Sequence, residues 1–216
     1  MRHATRITIL TLAVAIVGPA SADRAAPQPA ITEVAKPVAA ESTAMPRRHP
    51  RDADYAFTQT IGSVTVYAAS RTGLAMAETA LTRFADAGLE LPELPLWVHD
   101  TRHGCSREPG DLERSGVLVA TADELYIHSC GKEFTLLHEL AHAYDIGFLD
   151  DARRAAFMET RKATAWSGVE WRLAGGEHAA DVIAWALLEG EVRPSRTLPN
   201  DDTSLALGFE ILTSGS

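Results

Sequence analysis

The chain has 216 residues, with 20 Lys or Arg against 29 Asp or Glu and a formal net charge of −9 at pH 7. Such an excess of acid disfavours nucleic acid and anionic membrane surfaces as partners, because both need a basic footprint. The length suffices for one domain with its own core, and no internal repeat is visible.

The N-terminus carries Arg2, His3 and Arg6, then an apolar run from Ile7 to Val17, then "GPASA", which ends in Ala20-Ser21-Ala22. This pattern predicts a secretory signal peptide over 1–22. The run is too short for a membrane-spanning helix, which needs about 20 apolar residues, and the segment holds no cysteine to take a lipid. The expectation is therefore a secreted, extracellular protein with no membrane insertion after cleavage. The mature chain would carry 18 basic and 29 acidic residues, a net charge of −11. Residues 23–52 are rich in Ala and Pro and nearly free of large apolar side chains, so they are expected to form a disordered tether. The domain is placed at 53–216.

Within it, "SVTVYAA" (63–69) alternates as a strand does. "RTGLAMAETALTRFADAG" puts Leu74, Ala77, Leu81 and Phe84 on one helical face and stops at Gly88. "LPLWVHD" (94–100) is a second strand. "GVLVAT" and "ELYIHS", either side of Ala122-Asp123, predict an antiparallel hairpin. A helix from about Lys132 to Ile146 follows, with Phe134, Leu137 and Leu140 or Ala141 inward and Gly147 as its stop. Asp150 is placed to cap a third helix over "DARRAAFMETRKA". After a loop with Trp166 and Trp171, "GGEHAADVIAWALLEG" reads as a break at the paired glycines, a helix from Glu177 and a stop at Gly190. The C-terminal "DDTSLALGFEILTSGS" adds a short helix that packs through Leu205, Leu207 and Phe209.

Two cysteines, Cys105 and Cys130, enter an oxidising compartment, where an even pair is most simply a disulfide. Closing that loop would remove roughly 3.5 kcal/mol from the unfolded state on the chain-entropy model. The alternative is a Cys2His2 zinc site, since His103 and His128 each precede a cysteine by two.

The stretch "HELAHAYD" (138–145) carries the chemistry. Four helical residues turn the chain by about 400°, so His138 and His142 project from one face and two imidazole nitrogens can meet a single ion. Glu139, beside the first histidine, is placed to take a proton from a water on that ion. With 8 His and 16 Glu in the chain, chance supplies about 0.02 such matches. A catalytic zinc commonly takes three protein ligands, and Glu177 offers the third at the start of a later helix. Asp181, four residues on, shares its face and can accept the free N–H of a ligating histidine. Taken singly, Glu177 also reads as an acid favoured by the helix dipole, and Asp181 as a solvated charge.

"HELAH", followed 35 residues after its last histidine by "EHAAD", resembles the gluzincin metallopeptidases. "GEHAADVIAWALL" is similar to the ligand helix of the ImmA/IrrE-like minimal zincins, and the resemblance spans about 132–190. It implies an α+β, minimal zincin-like domain with a small mixed or antiparallel sheet packed on the motif helix and a second ligand helix. It also implies one Zn2+ held by His138, His142 and Glu177, Glu139 as general base, and Asp181 supporting a histidine. The signal peptide sets the chain apart from the intracellular members of that group, and the extra Tyr and His donors of thermolysin-like enzymes have no aligned counterpart here.

A carbonyl attacked by water gains negative charge that needs a further donor. Tyr126, His128, Tyr144, Arg172 and His178 are the candidates. His178 points about 100° away from Glu177 on its helix and reads as a surface residue, while Tyr144 and Asp145 read as packing or capping the motif helix. The hairpin would offer an unpaired edge to an extended peptide. The expected function is that of a secreted zinc metallopeptidase acting on a peptide or protein substrate. The alternative is a zinc-stabilised extracellular binding or scaffold module without hydrolytic activity.

Overall fold

A computed structural model describes residues 55–99, 116–121, 124–194 and 199–214. The expected signal peptide, tether, hairpin turn and the loop with His103 and Cys105 lie outside the described residues.

Among the described residues five strands form one mixed sheet in the order β1-β2-β3-β5-β4. Strands β2 (Val64–Ala68), β3 (Leu94–His99) and β5 (Leu125–Cys130) are parallel to one another at its centre. Strand β1 (Phe57–Ile61) pairs antiparallel with β2, and β4 (Gly116–Ala120) antiparallel with β5. The predicted hairpin is thus β4–β5, with β4 at the sheet margin. Strand β1 was not expected. It is a margin strand whose Thr58, Gln59 and Thr60 are all exposed, so it lacks the apolar alternation that betrays a half-buried strand. The available signal was the Gly62-Ser63 pair between two β-branched runs.

Alternation sorts the sheet into two faces. Val64, Val66, Ala68, Leu94, Leu96, Val98 and Ile127 are buried in the main core, where the helices pack. Tyr67, Trp97 and Tyr126 belong to a separate aromatic cluster with Tyr55. Tyr67 stacks on Trp97 at 5.3 Å and Tyr126 meets it edge-on at 5.4 Å.

Helix α1 (Arg71–Asp86) follows β2. Ser70 caps it, accepting the Gly73 N–H at 3.0 Å, and it buries Ala77, Ala80, Leu81 and Phe84. Burying side chains such as Leu81 and Phe84 stabilises the fold by about 1.5–3 kcal/mol each. Arg83 near its end donates to Glu133 Oε1 at 2.9 Å and to the Leu187 carbonyl at 2.7 Å, so α1 is fastened to two later helices.

Helix α2 (Glu133–Phe148) carries the motif and buries Leu136, Leu137, Glu139, Leu140, Ala141, Ala143 and Tyr144. It runs through Gly147, the expected stop, to Phe148. Phe134 is only partly buried, against the edge of the core. Helix α3 (Asp151–Arg161) is capped as expected by Asp150, which accepts the Arg153 N–H at 2.8 Å. A short 3-10 turn, Trp171–Leu173, leads into helix α4 (Gly175–Leu187).

The paired glycines do not break the chain. Both lie in the first turn of α4, because Trp166 packs against them: a Cβ on Gly175 would lie 3.0 Å from Trp166 Cε3 and 3.0 Å from Met158 Cγ. They are close-approach residues rather than helix breakers. Helix α5 (Asp202–Thr213), capped by Asp201, buries Leu205, Gly208 and Leu212. Leu207, expected inside, is 45% exposed, since 205, 208 and 212 define the inward stripe at helical spacing.

Candidate metal centre

Helices α2 and α4 pack face to face, and the site lies between them. His138 and His142, one turn apart on α2, present their Nε2 atoms to each other at 3.2 Å. Glu177, in the first turn of α4, completes the triangle: its Oε2 lies 3.3 Å from His138 Nε2 and its Oε1 lies 3.6 Å from His142 Nε2. Among the described residues this is the group of His, Cys, Asp and Glu side chains whose donor atoms converge, all within 4.8 Å of one another.

The fit to a metal can be tested on these distances. A tetrahedral ion with bonds of 2.0–2.1 Å holds its donor atoms about 3.3–3.4 Å apart; the two imidazole nitrogens, 3.2 Å apart, come close to that value, and the Glu177 carboxylate approaches one of them through each oxygen, at 3.3 and 3.6 Å. The donor set of two imidazoles and one carboxylate could hold one metal ion and would leave a corner of a tetrahedron free for a water.

Asp181, one turn past Glu177, supports the triangle from behind. Its Oδ1 lies 2.9 Å from His138 Nδ1. A carboxylate accepts, so Nδ1 carries a hydrogen toward Asp181, and loss of the other ring proton would free the Nε2 lone pair for an ion. Asp181 is buried, 8% exposed, which removes its reading as a solvated charge.

Glu139 turns the other way. One residue along from His138, its side chain points toward β4, and burial raises its carboxyl above the usual range against the opposing pull of His138 and His142. The Leu118 backbone N–H on β4 favours its ionised form. A buried carboxyl whose proton affinity is raised is suited to taking up a proton. Without an ion, burial alone would lower His138, but hydrogen bonds to Asp181 and Glu177 outweigh it and push it up to about 10. Burial would raise Glu177, yet its contacts with His138 and His142 hold it well below the ordinary carboxylate range.

The candidate donors to a developing oxyanion fall elsewhere. Tyr126 and His128 point to the sheet face away from α2, Tyr126 against Trp97 and His128 with its Nε2 3.4 Å from Tyr55 Oη. Tyr144 is buried and donates to the Leu212 carbonyl at 3.2 Å. Asp145 accepts from Arg154 at 2.8 Å and from Trp166 Nε1 at 2.9 Å, a packing role that ties the loop to α2. Arg172 is exposed on the 3-10 turn. His178 is not a surface residue: it is 5% exposed and its Nε2 donates to the Arg172 carbonyl at 2.8 Å. The face of α4 turned 100° from Glu177 meets protein rather than water, because ten of its thirteen residues are buried. Cys130, at the end of β5, is disulfide-bonded; Cys105, its expected partner, lies outside the described residues.

Sequence reasoning missed the part that β4 plays. Its backbone meets Glu139 through Leu118, and no spacing rule within 116–120 announces that. No protein-family model, curated protein or solved structure matches this chain.

Proposed function

We propose that this protein is a zinc-dependent metallopeptidase of minimal zincin-like architecture, released outside the cell, that hydrolyses peptide bonds. The observation that carries the reading is the triangle of His138, His142 and Glu177 with a buried carboxylate, Glu139, beside it but outside the ligand set. A site that served only to staple the fold would have no use for that extra acid. A zinc ion held by the three ligands supplies Lewis acidity, acidifying a water and polarising the scissile carbonyl.

The chain's own groups divide the remaining work. Glu139 accepts the proton of the attacking water and returns it to the departing amine, a role its burial favours. Asp181 fixes the tautomer and orientation of His138. Strand β4, at the sheet margin beside Glu139, offers main-chain groups with which an extended peptide can pair, giving affinity with loose sequence preference. Secretion rests on the N-terminal segment 1–22; no helix of the described residues is long and apolar enough to cross a membrane.

The test is mass-spectrometric profiling of a peptide library incubated with the zinc-loaded protein and, in parallel, with Glu139→Gln. Cuts made only by the parent protein support the reading and give its side-chain preference. No cuts by either, with zinc bound, replace it with the zinc-stabilised binding module.

A further inference from the structure

Gly116 opens β4 and faces Ser129 across the β4–β5 pair. Its φ is not positive, so backbone freedom does not account for a glycine there. Space does. A Cβ built on Gly116 would lie 2.7 Å from Glu139 Oε1, 2.8 Å from Glu139 Cγ and 2.8 Å from Thr135 Cγ2, closer than any side chain tolerates. Two residues along the same strand, the Leu118 N–H addresses the same carboxylate.

We propose that Gly116 is a positioning residue for Glu139: the missing side chain leaves a slot in which the carboxylate is held against β4, apart from the three metal ligands. This rests on the reading of Glu139 as general base. The atoms that a methyl group at 116 would meet are side-chain atoms, two of them belonging to Glu139. The carboxylate would therefore give way before the strand does, and it would leave its place beside the metal centre while the fold and the ligand triangle stay intact. Displacements of about 1 Å in catalytic geometry cost on the order of 100-fold in rate.

The experiment is Gly116→Ala, alone and combined with Glu139→Gln, each zinc-loaded, with two readouts. The first is peptide hydrolysis: Gly116→Ala is expected to lose about 10- to 100-fold in kcat with KM little changed, and to cost nothing further in the Glu139→Gln background. The second needs no turnover. Acetohydroxamate must give up a proton to a nearby base on binding the metal, so its Kd, measured by calorimetry, is expected to weaken in each single variant and no further in the double, with zinc affinity unchanged throughout. A Gly116→Ala protein with kcat and acetohydroxamate affinity within about twofold of the parent overturns the proposal, as does a loss that multiplies in the double variant. If Gly116→Ala is instead destabilised, adding Glu139→Ala and Thr135→Ser, which remove the atoms in the way, is expected to restore the melting temperature; a deficit that persists also overturns it. A parent protein that cuts no peptide would end the peptidase reading, and the acetohydroxamate and zinc titrations would still decide the role of Gly116.

Discussion

Asp181 Oδ1 and His138 Nδ1 stand 2.9 Å apart across the α2–α4 contact, so a residue of one helix orients a histidine of the candidate metal site on the other. Removing that carboxylate leaves His138 free to rotate and less basic. Asp181→Ala is expected to weaken zinc binding by 10- to 100-fold, on the order found for lost partners of ligating histidines. Asp181→Asn keeps an acceptor oxygen and should lose less. Competition against a chelating dye measures both, and an unchanged affinity in Asp181→Ala would remove Asp181 from the site.

Glu139→Gln is nearly isosteric and takes away only the ability to accept a proton. Zinc content should stay at one ion per chain, while peptide hydrolysis falls by about 10²- to 10⁴-fold, the usual contribution of a general base. Full activity in this variant would refute the mechanism.

Tyr144 separates a catalytic from a packing role. Its hydroxyl is spent on the Leu212 carbonyl and receives Arg153 Nη1 at 3.2 Å. Tyr144→Phe is therefore expected to lower stability by about 0.5–1.5 kcal/mol and to leave kcat within about threefold of the parent. Denaturant unfolding beside steady-state kinetics gives both numbers; a large kcat loss with unchanged stability would reinstate Tyr144 as a donor to the reaction.

The metal-free protein carries a pH signature. His138 is pushed up to about 10 there, from an ordinary value of 6.5: burial opposes the shift, and Asp181 and Glu177 drive it. A raised folded value means that protonated His138 stabilises the metal-free fold fully below about pH 6.5, and that this contribution fades as pH climbs toward 10. Zinc needs the neutral ring, so binding at pH 7.5 must expel a proton, and affinity should rise with pH. Calorimetric zinc titrations in two buffers of different ionisation enthalpy should give about one proton released; none would mean that His138 is already neutral.

Much of the centre was legible because helix geometry carries it: the spacings His138–His142 and Glu177–Asp181 both place side chains on one face without knowledge of the rest of the fold. What the sequence hid depended on partners distant in the chain. Gly175 and Gly176 look like breakers until Trp166 is seen lying against them. His178 reads as a water-facing residue because it points away from Glu177, yet α4 is enclosed nearly all round. Tyr126 and His128 flank Ile127, and the burial of Ile127 against the helices turns both of them to the far face; the alternation was readable, but which face held the site was not. Strand β1 escaped because both its surfaces are largely wet.

His142 and Glu177 are 35 residues apart in the chain and meet across two different helices. An ion bound between them is a cross-link, clasping α2 to α4 and closing a loop for which a covalent bridge would contribute about 4 kcal/mol on the chain-entropy model. Scarcity of the ion would then be felt as a looser helix pair offered to any neighbouring protease, so the lifetime of the molecule would follow the supply of the metal it binds.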